Sequence, residues 1–375
     1  LTSVAYRLLS SAPEIRHFLR QLEDEREIAV DVEADSLYSY PEKVSLVQVS
    51  TPSSNTILDP LRGRAGMHGL GAILANSEIL KVFHGGDFDI RLLKKHFDLQ
   101  VHTVADTMIA AQLVGRAHVG LSSLLEQEFS LQLDKRYQRA NWSRRPLPSE
   151  MLRYAALDTA YLLPLWQRLR DELQRLERLD WAQEEFQLLE EVTAGPERPP
   201  SCFDVKGAHH LLPRQRAILQ SLLELREETA RDWDRPPFKV LSNQVLLGWA
   251  TSPPTNQREI QQTPRANRGI LRRLAPQILH AVRQAQSTPL KECPHRDLPS
   301  LPPLSDEQRR RLERLKRVRR AATEQLGLSA GLVVNSATLE RLARAAPGDA
   351  IQMVRTVLKR WQFQVLGPSL QRALR

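Results

Sequence analysis

The sequence predicts an α/β domain built on a mixed β-sheet, followed by two small all-helical domains. Three observations predict this. Short apolar runs alternate with helical patterns through the first half of the chain. A proline-rich stretch, TAGPERPPS at 193–201, then interrupts the pattern. Beyond it only helical periodicity remains, and part of that region repeats itself at an offset of 93 residues.

The elements follow in order. EIAVDVE (27–33) reads as a buried strand ending in acid, and VSLVQVS (44–50) alternates apolar and polar residues as a second strand. TIL (56–58) predicts a short third strand. ILKVF (79–83) is a fourth, and His84-Gly85-Gly86 turns the chain sharply into the helix FDIRLLKKHF. VHTVAD (101–106) leads into the helix TMIAAQLVG. Adjacent strands first and βαβ units later make a mixed sheet, not a purely doubly wound one. From Ser149, read as an N-cap, a helical pattern runs with breaks to about Glu191. The repeat matches Val240, Leu241, Ser242, Asn243 and Leu246 to Val333, Val334, Asn335, Ser336 and Leu339. In each copy two apolar residues precede a capping pair and a new amphipathic helix. The expected boundaries are 1–192 for the α/β domain, 193–207 for a linker and 208–288 for the first helical domain. A second proline-rich linker spans 289–303, and the second helical domain spans 304–375.

Composition narrows the function. The 375 residues suit two or three domains at roughly 100–200 residues each, and 41% hydrophobic content supports real cores. No apolar run reaches about 18 residues, and the opening LTSVAYRLLSS lacks the pattern of a secretory signal. Cys202 and Cys293 stand far apart without CxxC partners, which argues against a zinc site or disulfide scaffold and for a reducing, cytoplasmic setting. The net charge of +9 is uneven: residues 1–200 carry −6 and residues 201–375 carry +15. An acidic front can hold cations, and a basic back can concentrate a polyanion.

The acids form a pattern. Asp31 and Glu33 lie at i and i+2 of a strand end, so both carboxylates project from one face. Like charges side by side call for a cation or strong donors. After the His-Gly-Gly turn comes Asp87 or Asp89; the local pattern does not separate them. In YAALDTAYLL, Tyr154 and Asp158 are four apart and share a helix face, with Ala155 and Ala156 allowing close packing. Each piece alone has a bland reading as solvated acids or a Tyr–Asp hydrogen bond. Together they make four carboxylates and a phenol. That set suits two hard divalent cations, Mg²⁺ or Mn²⁺, which clamp the attacking and leaving oxygens of a phosphoryl displacement. A phenol with an unperturbed pKa near 10 orients water better than it deprotonates it.

VDVEADS, KVFHGGDFDIRLL and LRYAALDTAYLL, in this order, resemble the three motifs of the DEDD exonucleases, in the ribonuclease D subgroup with a Tyr in its last motif. QLDKRYQRANWSRRPL, just before the third motif, is similar to that family as well. The resemblance implies an RNase H-like fold over about residues 3–190, two divalent metals, and 3′→5′ removal of nucleotides from RNA, notably tRNA precursors. It implies Asp31, Glu33, Asp89 and Asp158 as metal ligands and Tyr154 as the residue that positions water. The two helical repeats resemble HRDC domains, small nucleic-acid-binding modules, and a monomer is the expected state. A DNA 3′→5′ exonuclease and a catalytically idle RNA-binding protein are the rival readings.

Segment 135–146 mixes cations with rings, which suits a single-stranded end entering a site. Lys135, Trp142 and Arg145 are the substrate contacts expected there, and His84 is another; a surface loop anchored by Trp142 and a structural turn histidine are the bland alternatives. In RRRLERLKRVRR (309–320), Leu312, Leu315 and Val318 form a stripe with cations around it. Such helices are usually solvated faces, yet the one-sided charge of this half favours contact with the RNA backbone.

Overall fold

The computed structural model describes residues 4–195, 198–295 and 302–375, with the side chains of Lys135 and Pro347 excepted. They fall into two compact units. The first comprises 4–33, 44–194 and 302–375; the second comprises 34–43, 195 and 198–295.

The first unit is organised on six strands: β1 (Arg7–Leu9), β2 (Glu27–Ala34), β3 (Val44–Ser50), β4 (Asn55–Leu58), β5 (Leu80–Phe83) and β6 (Val104–Asp106), in the order β1-β4-β3-β2-β5-β6. β3 and β4 are antiparallel, while β1–β4, β2–β5 and β5–β6 are parallel. The expected mixed sheet is therefore present, with the early strands adjacent and βαβ crossovers following. β3 is buried throughout, and so are Ile28, Ala29, Val30 and Val32 of β2, because helices cover the sheet. Those helices are α1 (Ala12–Gln21), α2 (Pro60–Gly63), α3 (Leu70–Ala75), α4 (Asp87–Phe97), α5 (Thr107–Val114), α6 (Leu121–Phe129), α7 (Ser149–Ala160), α8 (Leu162–Arg175) and α9 (Leu179–Glu190). α7 lies close on β3, where Ser50 Oγ and Thr159 Oγ1 are 2.7 Å apart and Ala155 and Ala156 are fully covered. The reading of Ser149 as an N-cap needs correction. Pro148 takes that position, and the Ser149 hydroxyl turns to Glu150 at 3.3 Å.

The helical regions repeat one another. In the second unit run α10 (Pro213–Asp232), α11 (Pro237–Val240), α12 (Asn243–Thr251), α13 (Gln257–Gln261) and α14 (Arg268–Ser287). In the first unit run α15 (Asp306–Leu326), α16 (Ala330–Val333), α17 (Ser336–Arg344), α18 (Pro347–Val357) and α19 (Arg360–Leu374). Ser242 caps α12 and Asn335 caps α17, as the matched capping pairs predict. Val240, Leu241 and Leu246 are buried, as are Val333, Val334 and Leu339. The match extends to a guanidinium that sequence inspection overlooked. Arg226 donates to Leu241 O (3.2 Å) and Asn243 Oδ1 (2.6 Å), and Arg319 donates to Val334 O (3.2 Å) and Ser336 Oγ (3.1 Å). α14 and α19 each hold an internal proline, Pro276 and Pro368.

The C-terminal helices dock on α9. The Trp181 and Trp361 rings stack at 4.9 Å, and Glu185 accepts from Lys359 Nζ (2.6 Å) and Trp361 Nε1 (2.8 Å). Glu184 accepts from the Arg360 and Trp361 amides (2.7 and 3.0 Å), satisfying first-turn donors of α19. The Arg178 guanidinium joins Leu113 O (2.7 Å) to Leu326 O (2.8 Å).

Candidate active site

Three elements converge at the carboxyl end of β2. The pleat places Asp31 and Glu33 on one face, and α7 delivers Asp158 to them. One carboxylate oxygen from each of these three lies within 4.8 Å of the others. The fourth acid arrives on α4. Gly85 (φ +67°) and Gly86 make the turn from β5, and a methyl on Gly86 would come within 2.7 Å of Phe83 Cβ, so only glycine fits without a shift. Asp106 Oδ2 accepts from the Gly86 amide at 2.7 Å, while its Oδ1 caps α5 through the Met108 and Ile109 amides (2.8 and 3.0 Å). This fixes the start of α4. Asp89, at its third position, is only 8% exposed and faces the other acids. Asp87 is exposed and held by Arg91 (2.8 and 2.9 Å), so of the two it is Asp89 that lies with the other acids.

The electrostatics point to a cation site. Burial raises Asp31 to about 7, partly offset by the Val32 backbone. Burial, and then the charges of Asp31, Asp158 and Asp89, lift Glu33 well above the usual carboxylate range. Asp89 is raised by burial, Asp31 and Asp106, and Asp158 by burial, Asp31 and Asp89. Among the described residues, no lysine or arginine forms an ion pair with any of the four. Clustered carboxylates in low dielectric without a protein counter-charge are strongly unfavourable unless protons or metal ions neutralise them. An all-oxygen donor set suits hard divalent cations. The residues present fit such ions.

Tyr154 stands one helical turn before Asp158. Its ring packs against Tyr137 (5.9 Å between centroids) and Trp142 (6.2 Å). Burial, followed by Asp158, Glu33 and Asp31, raises its hydroxyl far above the ordinary value, with Gln138 hydrogen-bonding in opposition. This environment favours the protonated hydroxyl, which can donate a hydrogen bond.

The expected substrate contacts divide. His84 directly precedes the Gly85-Gly86 turn that leads to Asp89; it is partly exposed, with Nδ1 2.9 Å from Thr107 Oγ1. Trp142 does not offer a stacking face: it is 1% exposed, sandwiched in the core with Leu46, Ile57 and Met151. Arg145 is committed to structure. It grips Asp59 with two bonds (2.6 and 2.8 Å) and donates to Ser45 O and Trp142 O (2.8 and 2.6 Å), leaving no free fork for phosphate. The Lys135 side chain lies outside the described residues. Part of the basic helix α15 is likewise internal: Arg311 donates to Ala343 O and Ala345 O, and Arg314 to Ala373 O. Arg309, Arg310, Arg317 and Arg320 remain exposed. Sequence reading missed Asp106 and Thr107, whose signal was an Asp-Thr pair joining a strand to a helix, the usual form of an N-cap.

Residues 6–174 match the family described as 3′-5′ exonuclease, and residues 215–282 match the HRDC domain. The chain thus carries a DEDD-type 3′–5′ exonuclease domain and an HRDC domain, and it is similar to ribonuclease D over nearly its whole length. Its relatives include ribonuclease D of Granulibacter bethesdensis, 25% identical over 366 residues, covering 96% of this chain and 90% of that one. Exosome complex component 10 of Mus musculus is 33% identical over 292 residues, 76% of this chain. The chain spans about a third of the length of that relative (33%). The crystal structure of the RRP6 catalytic core from Trypanosoma brucei superposes with a TM-score of 0.67 at 29% identity, covering 75% of this chain and 79% of that one. Escherichia coli ribonuclease D shares the fold end to end, with a TM-score of 0.76 at 23% identity and 99% coverage of both chains. Exonucleases of this family use divalent metal ions.

Proposed function

We propose that this ribonuclease D-type chain is a 3′→5′ exoribonuclease that hydrolyses the terminal phosphodiester of RNA, with structured RNAs such as tRNA precursors as substrates. The observation that carries the reading is the convergence of Asp31, Glu33, Asp89 and Asp158 with, among the described residues, no lysine or arginine paired to them. Two divalent ions, Mg²⁺ or Mn²⁺, held by these four carboxylates would lower the pKa of a bound water and neutralise the leaving 3′-oxygen. Tyr154 keeps its proton and donates a hydrogen bond that orients the attacking water. Asp106 keeps Asp89 in place through the Gly86 amide.

We read residues 304–375 as a second HRDC-like module after the one at 208–288, giving the expected five-part division of the chain. The matched Arg226 and Arg319 contacts and the internal prolines of α14 and α19 support this. The exposed cations of α15 and the net charge of +15 beyond residue 200 favour electrostatic capture of RNA, largely indifferent to base sequence. A cytoplasmic monomer is the form we propose. Both cysteines are free and buried, and no described helix is long and apolar enough to cross a membrane.

The test is timed digestion of a 5′-labelled tRNA precursor with a 3′ extension, in Mg²⁺, in Mn²⁺ and in EDTA, beside a DNA strand of the same sequence. A ladder that shortens one nucleotide at a time on RNA and vanishes in EDTA is the expected result. Bound but uncut RNA in both metals would leave an idle binder, and preferential loss of the DNA strand would make the chain a DNA exonuclease.

A further inference from the structure

We propose that His84 reads the 2′-hydroxyl of the RNA 3′-terminal nucleotide, accepting a hydrogen bond from it at Nε2. The inference rests on the exoribonuclease reading and adds to it a residue that distinguishes RNA from DNA.

Register places the ring. β2 and β5 are parallel, with Ala29 opposite Val82, and both side chains enter the same apolar cluster under α5 and α8. The paired register ends at Ala29 and Val82; two residues on lie Asp31 in β2 and His84, the first residue past β5, so both stand at the carboxyl ends of neighbouring parallel strands. Asp31 belongs to the carboxylate cluster on which the scissile phosphate is held. The sugar of the departing nucleotide is bonded directly to that phosphate, so it falls within reach of the neighbouring strand end.

The hydrogen bonds then fix what the ring offers. Thr107 Oγ1 gives its single proton to Phe83 O at 3.1 Å. It can therefore only accept from His84, so Nδ1 carries the ring proton across the 2.9 Å contact. Burial holds His84 below the usual imidazole range, with Asp106 opposing, and the ring is neutral at pH 7. Nε2 is thus a lone-pair acceptor, and among the described residues it has no hydrogen-bond partner. An acceptor beside the scissile phosphate calls for a donor on the sugar or the base. Base donors change in kind and position from one base to the next (uracil offers only its N3–H), whereas an enzyme that works through any sequence meets a 2′-hydroxyl in the same place at every step. The 3′-hydroxyl occurs in DNA as well as RNA, so the test separates the two.

Three 5′-labelled single-stranded RNAs of one sequence, ending in a ribo, a 2′-deoxy or a 3′-deoxy nucleotide, are digested under single-turnover conditions with the metal-loaded full chain. The wild type is expected to remove the ribo end about ten-fold faster than the 2′-deoxy end, the worth of one well-placed hydrogen bond. His84→Ala brings that ratio close to one. Thr107→Val keeps the imidazole but frees its tautomer, and the ratio falls part of the way. The ratio compares two substrates on one protein, so a general loss of stability lowers both rates and leaves it readable; His84→Asn supplies a second variant. A full ratio in His84→Ala overturns the proposal, as does a wild type that discriminates only against the 3′-deoxy end. A wild type that trims none of the three overturns the exoribonuclease reading itself.

Discussion

At the scale of single residues, the four acids share one electrostatic problem and its consequences are measurable. Asp31→Asn or Asp158→Asn should lower trimming by at least about a thousand-fold, because on the proposed reading each carboxylate is a metal ligand for which no other side chain substitutes. In EDTA the same variants should melt above the wild type, since one buried charge is gone from a cluster that lacks a counter-ion. Paired melting and activity curves check both halves, and a variant less stable than wild type in EDTA would argue against the repulsion. The pH dependence follows in sign. The folded pKa of Asp31 is raised to about 7 from its ordinary 3.8, so between those limits the folded chain binds more protons than the unfolded chain. The site's contribution to metal-free stability is therefore fully present below about pH 4 and lost as pH rises through 7. Divalent ions bind the deprotonated form, so the melting shift produced by saturating Mn²⁺ should be larger at pH 8 than at pH 5.5. Tyr154→Phe removes an oriented donor but no ligand, and a fall of roughly a hundred-fold with unchanged metal affinity is expected from rate and binding titrations. A loss of metal affinity equal to that of Asp158→Asn would move Tyr154 into the ligand set.

At the scale of elements, what could be read in advance depended on whether the signal was local. β2 and β5 are apolar runs punctuated by acid or glycine, and α7 shows its face through Tyr154 and Asp158 four residues apart; these were legible. β1 was not, because three residues with two exposed carry no period, and its pairing to Thr56–Leu58 exists only once the sheet forms. Trp142 and Arg145 looked like an RNA platform because a cation–aromatic mixture reads the same whether it faces solvent or the core. The contact of Arg145 with Asp59, 86 residues away, is what decides it. Asp87 and Asp89 were indistinguishable in the sequence for a related reason: the exposed face of α4 is defined by Arg91 on one side and the sheet on the other. The turn that carries Asp89 yields the prediction at this scale. Asp106→Ala removes the α5 cap and the Gly86 tether together, and should cost about 1–2 kcal/mol of stability. It should also weaken Mn²⁺ binding more than Asp106→Asn does, since asparagine retains one acceptor oxygen. Denaturant melts and a metal titration of both variants distinguish a positioning role from a purely structural one, for which metal affinity would not move.

At the scale of the whole molecule, the chain uses one helical module in each of its two units, but not in the same way. The helices at 213–287 have a core of their own, closed by Leu222, Leu246, Leu271 and Ile278. The helices at 306–374 form a core around Leu315, Leu339 and Leu370, yet Trp361 and Val365 also enter the apolar cluster under the catalytic sheet. The stacked Trp181–Trp361 pair and the Glu185 bonds to Lys359 and Trp361 join that module to α9. Glu185 is 9% exposed, so removing its partners leaves a charge stranded where water cannot reach it well. Lys359→Met with Trp361→Ala should therefore destabilise the catalytic unit as well as the C-terminal helices, in one cooperative transition and not two. Differential scanning calorimetry resolves the two cases. A catalytic sheet that melts unchanged while α15–α19 melt early would mean that the C-terminal module is a passenger on the sheet. A single earlier transition would mean that the module closes the core on which the carboxylates stand.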